Sequence, residues 1–200
     1  MAYNMAMNIA VLLFHEVHEL DAVTIYSILY TAKHFLDDPE SFNLYTIAKG
    51  RNSVQTVGGF TITPNYAFAS APAPDILIVP GGVGIDKACK DKLICGYLED
   101  IRPSLKMLVS ISGGAFLLGR LGFLKGQQAT THPDNLEALE EFEVAGTSLE
   151  RVVKNPSGIW CAGGSMAAAE VGLELIEDLL GNEMMCTVKK RLDIRSAMHD

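Results

Sequence analysis

The sequence predicts one α/β domain built on a mostly parallel sheet with helices on both faces. Residues 8–14 (NIAVLLF) and 75–79 (DILIV) are almost continuously apolar, the pattern of parallel strands covered on both sides. A third apolar run, residues 107–111, breaks at Ser112-Gly113-Gly114 and resumes with helical character at Ala115. Strands alternating with helices imply right-handed crossovers, which carry the strand-end loops to one side of the sheet.

In chain order, the strand at 8–14 leads through a polar loop, residues 15–19, to Asp21. Asp21 is expected to cap a helix over residues 22–35, because a short acidic side chain accepts the free N–H groups there. Pro39 should close that helix before an alternating strand at 42–48. Residues 53–57 and 60–63, joined by Gly58-Gly59, read as a hairpin, and residues 69–74 as a loop. The strand at 75–79 ends in Pro80-Gly81-Gly82-Val83-Gly84, and a helix is expected over 86–101. After the break at Ser112, a short strand is expected at 128–131. A helix from His132-Pro133-Asp134 to Glu141 and a second hairpin around Asn155-Pro156-Ser157-Gly158 should follow. Gly163-Gly164-Ser165 then opens a helix over 166–180, and a last one is expected over 183–197. No repeat or linker divides residues 1–200.

Composition narrows the classes of function. A hydrophobic content of 48% with 20% charged residues belongs to a globular chain. The net charge of −8, from 16 Lys+Arg against 24 Asp+Glu, argues against a nucleic-acid partner, whose phosphates need clustered cations. No apolar run approaches the ~20 residues of a membrane span, so no membrane partner is expected. Residues 1–7 lack the basic start and long apolar stretch of a secretory signal, which points to the cytoplasm. Cys89, Cys95, Cys161 and Cys186 have neither CxxC nor metal-ligand spacing, so reduced, mostly buried thiols are expected. His15-Glu16-Val17-His18 falls one residue short of a zinc-binding H-E-x-x-H and lies in a loop. It reads as solvated. Neither a metal nor a cofactor is expected.

The chemistry concentrates at Ser112. A strand that turns straight into a helix forces the turn residue into a strained conformation, and Ser110, Gly113 and Gly114 relieve the crowding. Such an elbow lifts one side chain, here Ser112, above the carboxyl edge of the sheet. The G-x-S-x-G pattern is incomplete, because Ser110 replaces the first glycine. Gly81-Gly82 leaves backbone N–H groups open to a ligand, and with the N–H of Gly113 they could form an oxyanion hole.

Several stretches together carry a resemblance: Phe14-x-x-Val17-x-x-Leu20-Asp21, Gly59-x-Thr61-Ile62-Thr63-Pro64-x-Tyr66, residues 74–82, the elbow, and Ala129-Thr130-Thr131-His132. In this order they resemble the ThiJ/PfpI superfamily (class I glutamine amidotransferase-like), in its isonitrile-hydratase-like branch. The likeness spans roughly residues 8–190. It implies a flavodoxin-like three-layer sandwich, a nucleophile elbow and a homodimer. It also implies a reactive cysteine at the elbow and a carboxylic acid from the loop after the first strand. Ser112 matches the cysteine, Asp21 the acid, and His132 a histidine that sits beside the pocket in this branch. From the residues themselves, Gly82 and Gly113 are the expected oxyanion-hole amides, Gly81 lines the pocket, and His132 is the remaining candidate base.

The departures are chemical. A thiol ionises readily beside a helix N-terminus, whereas a serine hydroxyl needs a dedicated base. Gly113 supplies none, and Ala167-Ala168-Ala169 stands where the hydratase branch tends to carry an acid. Two functions are therefore open. One is an isonitrile-hydratase-like or amidase-like enzyme acting on a small substrate beside Ser112. The other is a non-catalytic protein that binds or senses a small molecule in the same pocket. A serine placed there to silence a cysteine enzyme would leave the same sequence.

Overall fold

The computed structural model describes residues 6–194. Its strands are β1 (Met7–Leu12), β2 (Phe42–Ala48), β3 (Val54–Gln55), β4 (Thr61–Ile62), β5 (Tyr66–Ala67), β6 (Ile76–Val79), β7 (Met107–Ile111), β8 (Gln128–Ala129), β9 (Gly146–Thr147), β10 (Val152–Lys154) and β11 (Ile159–Ala162). Its α-helices are α1 (Glu19–His34), α2 (Ile85–Ala88), α3 (Lys92–Ile101), α4 (Gly114–Arg120), α5 (Leu136–Leu139), α6 (Ala167–Leu180) and α7 (Asn182–Arg191).

Seven strands form the main sheet in the order β10-β11-β7-β6-β1-β2-β5. Every neighbouring pair is parallel except β10 with β11. Every residue of β6 and β7 is buried, which is why these segments carry no polar alternation. The step from β1 to β2 runs one way across the sheet and the step from β6 to β7 the other. Right-handed crossovers therefore place α1 and α3 on opposite faces. Helices α6 and α7 pack with α1, while α2 packs with α4. The result is the expected three-layer sandwich with a mostly parallel central sheet.

The structure corrects several expected boundaries. Asp21 does not cap α1; His18 does, its Nδ1 accepting from Leu20 N at 3.3 Å. The helix starts three residues earlier than expected, so Asp21 lies inside its first turn and faces the core. Pro39 opens a short 3-10 turn, Pro39–Ser41, because α1 has already ended at His34. The helix expected over 86–101 is two, since Asp91 caps α3 through Leu93 N and Ile94 N. The helix expected from His132 to Glu141 is one turn of α-helix between two 3-10 turns. β8 pairs with β9 in a separate ribbon and does not join the main sheet. Of the four cysteines, all free, only Cys161 is buried; Cys89 and Cys95 are half-buried and Cys186 exposed. The expected last helix ends at Arg191, and its expected residues 195–197 lie outside the described residues.

Candidate active site

The elbow forms because β7 and α4 are almost contiguous. The β7–β11 ladder continues one residue past the strand, with Ser112 N donating to Ala162 O at 2.9 Å. Helix α4 begins at Gly114, so the chain must turn within two residues. It does so at Ser112, whose φ is 50°. A left-handed conformation in a residue with a Cβ costs about 1–3 kcal/mol and persists only where the surroundings impose it. Here Thr131 Oγ1 and Ala115 N both donate to Ser112 O, at 2.7 and 3.3 Å. Thr131 is itself buried.

The β6 loop meets the elbow at very close range. A Cβ on Gly81 would lie 2.6 Å from Gly113 N and 3.1 Å from Asp21 Oδ2, so no side chain fits there. Gly82 has φ 127°, and its Cα faces the backbone of Glu16 and His18. Only glycine combines that conformation with that approach. Gly81 O accepts from His18 N at 2.9 Å, which ties the β6 loop to the β1 loop. Among the described residues the amides of Gly82 and Gly113 have no protein acceptor, and both residues are half-buried.

Asp21 is completely buried. Its Oδ2 accepts from Gly81 N at 2.8 Å, while Oδ1 has no hydrogen-bond partner. Burial pushes the carboxyl above the usual aspartate range, against the opposing influence of the nearby Ser165 hydroxyl and the Gly81 amide. Half a carboxylate left unpaired in the core favours the protonated form.

His132 stands apart from the serine. Its Nδ1 accepts from Asp134 N at 3.3 Å and lies 3.6 Å from Asp134 Oδ2. The half-exposed ring borders Gly164. His132 lines a cavity of about 380 Å³ with Thr131, Arg151, Gly164 and Ser165. Arg151 is held at its mouth by Glu170, 2.7 Å away. This cavity adjoins the elbow through Thr131 and touches the surroundings of Asp21 through Ser165. Among the described residues no hydrogen bond joins Ser112 Oγ to Asp21 or to His132.

The structure thus brings Asp21, Gly81, Gly82, Ser112 and Gly113 together at one edge, with His132 on the rim of the adjoining cavity. Sequence reasoning quoted Thr131 only as part of a motif and read Ser165 only as a helix start. Neither residue type signals that one braces the elbow carbonyl and the other approaches the buried acid. His18 caps α1, and among the described residues no cluster of three or more His, Cys, Asp or Glu could hold a metal.

The model of the DJ-1/PfpI family matches residues 7–178. The chain belongs to the DJ-1/PfpI family. It is 28% identical to the isonitrile hydratase of Pseudomonas putida over 196 residues, covering 96% of this chain and 81% of that enzyme. It is 25% identical to the HTH-type transcriptional regulator GbdR of Pseudomonas aeruginosa, over 78% of this chain and 42% of the regulator. Among solved structures, a ThiJ/PfpI family protein from Pseudomonas syringae superposes with a TM-score of 0.86 at 23% identity. That match covers 96% of this chain and 77% of the other. Drosophila melanogaster DJ-1beta superposes with a TM-score of 0.83 at 19% identity, over 96% and 100% of the two chains. These likenesses establish the flavodoxin-like fold for this DJ-1/PfpI chain. Among the described residues no helix is long and apolar enough to cross a membrane.

Proposed function

We propose that this DJ-1/PfpI protein binds a small polar molecule at the elbow and has given up the covalent chemistry of a cysteine nucleophile. The observation that carries this reading is the unassisted serine: Ser112 sits in the strained elbow and, among the described residues, no base is in hydrogen-bond contact with its Oγ. An unassisted hydroxyl stays protonated near neutrality and is a poor nucleophile. It remains a good hydrogen-bonding group. Asp21, whose carboxyl burial pushes towards the protonated form, and the unpaired amides of Gly82 and Gly113 would complete a donor-rich pocket for a ligand with a carbonyl-like or nitrile-like end.

A hydratase reading is favoured by the likeness to isonitrile hydratase and by the presence of Asp21. In it, Asp21 would move the proton and Gly82 and Gly113 would stabilise developing negative charge. The experiment compares the natural chain, Ser112→Ala and Ser112→Cys in isonitrile hydration and in thiol alkylation. The binding reading expects negligible turnover from the natural chain. It also expects Ser112→Cys to alkylate faster than a free thiol, because a helix N-terminus and a neighbouring acid proton favour the thiolate. Strong turnover by the natural chain, abolished in Ser112→Ala, would overturn it. We also infer a homodimer, on grounds developed below.

A further inference from the structure

A second crevice lies away from the elbow, on the other flank of the β1 loop. It encloses about 320 Å³ between the carboxyl ends of β1 and β2 and the start of α2 and α3. That is the lower end of the range for small-molecule pockets, ~300–1,000 Å³. Strand ends of a parallel sheet are also where such pockets form. Leu13, Phe14, Val54 and Ile94 give it an apolar floor, and Lys49 and Lys87 stand on its rim. Ser112, Gly113 and Asp21 take no part in it.

We propose that this crevice is a binding site for a small carboxylate with an apolar body. The floor explains the body, and hydrogen-bond accounting at the rim explains the carboxylate. Lys49 Nζ bonds Asp91 Oδ2 at 2.6 Å, and Lys87 Nζ bonds Glu16 Oε2 at 2.7 Å. Each ammonium has three donors and uses one in these pairs. Asp91 has less left to offer. Asp91 Oδ1 is engaged by Leu93 N at 2.9 Å and Ile94 N at 3.4 Å, and Oδ2 by Lys49. Glu16 contributes nothing to the lining. Asn52 adds a side-chain amide, while Ser53 Oγ is already paired with Thr63 Oγ1 at 2.6 Å. The paired charges balance, but the lysines keep N–H groups to give, which suits an anion better than a cation. The two acids hold the lysines in place over the floor, so little side-chain freedom is lost when a ligand arrives.

Octanoate, octanol and octylammonium, titrated separately by calorimetry and amide NMR, test this directly. Octanoate is expected to bind at one saturable site and to shift amides in residues 48–54 and 84–91. Octanol should bind about tenfold more weakly, the loss expected for a charge-assisted hydrogen bond, and octylammonium not measurably. Lys49→Gln and Lys87→Gln should each lower octanoate affinity about tenfold and leave octanol unchanged. Both lysines are largely exposed, and unchanged melting temperatures would verify folding. Three results would overturn the proposal: no saturable octanoate binding, octylammonium binding as tightly as octanoate, or shifts centred on Ser112, Gly113 and Ser165.

Discussion

At the scale of single residues, Asp21 and Gly81 form the most constrained contact in the site. Burial raises the folded-state pKa of Asp21 above its unfolded value. The folded chain then holds a proton that the unfolded chain releases, so stability falls as pH rises from the ordinary aspartate range through the raised value. Asp21→Asn removes that dependence while its amide oxygen can still accept from Gly81 N. Thermal melts across pH should show the variant gaining on the natural chain as pH rises through this interval, with a flat difference below it. A constant offset at every pH would contradict the shift. Gly81→Ala tests the other half of the contact. Its Cβ would lie 2.6 Å from the Gly113 backbone, and overpacking of this kind costs about 1–3 kcal/mol. Urea denaturation should read that loss. An unchanged midpoint would mean that the loops part easily, and the pocket would not be preorganised.

At the scale of elements, capping decides where helices start, and it was the least legible feature of the sequence. Asp91 divides the segment expected as one helix over 86–101, because its carboxylate satisfies two N–H groups of α3 while also holding Lys49. Asp91→Ala should destabilise the fold by about 1 kcal/mol, the usual worth of such a cap. Urea denaturation would measure it, and a loss within error would mean that packing of Ile94 and Leu98 alone sets the helix. The central strands were legible because full burial removes their polar residues, and the elbow because only small residues tolerate the turn at Ser112. β5 was not: a two-residue edge strand, Tyr66–Ala67, has too few positions to show a period. β8 is shorter than the strand expected at 128–131, and its partner β9 showed no pattern for the same reason. Asp21 was legible as an acid beside the elbow, yet it was misread as a helix cap. One polar side chain looks the same in sequence whether it faces the helix end or the core. Thr131 and Ser165 reach the site only through tertiary packing, which carries no local pattern.

At the scale of the whole molecule, the inferred dimer rests on one apolar surface that a lone domain leaves in water. Leu20, Val23 and Tyr30 are about half exposed on α1, and Val57 and Phe60 are exposed on the β3–β4 hairpin. The hairpin is fastened beside the start of α1 by Val57 N to Val17 O at 3.1 Å and Gly58 N to Glu19 Oε2 at 3.1 Å. Val23, Tyr26 and Ile62 share a crevice, so the helix face and the hairpin form one continuous surface. Contiguous exposed apolar surface of this sort marks an association site, and two copies related by a two-fold axis would cover it with the same residues on both sides. Light scattering of the natural chain at micromolar concentration should give twice the monomer mass. Val23→Lys and Phe60→Lys should each shift it towards one mass without lowering the far-ultraviolet helical signal, because burying a lysine unpaired is costly and exposing it is not. A monomer mass for the natural chain would remove the dimer, and a dimer that survives both lysines would move the interface to another face.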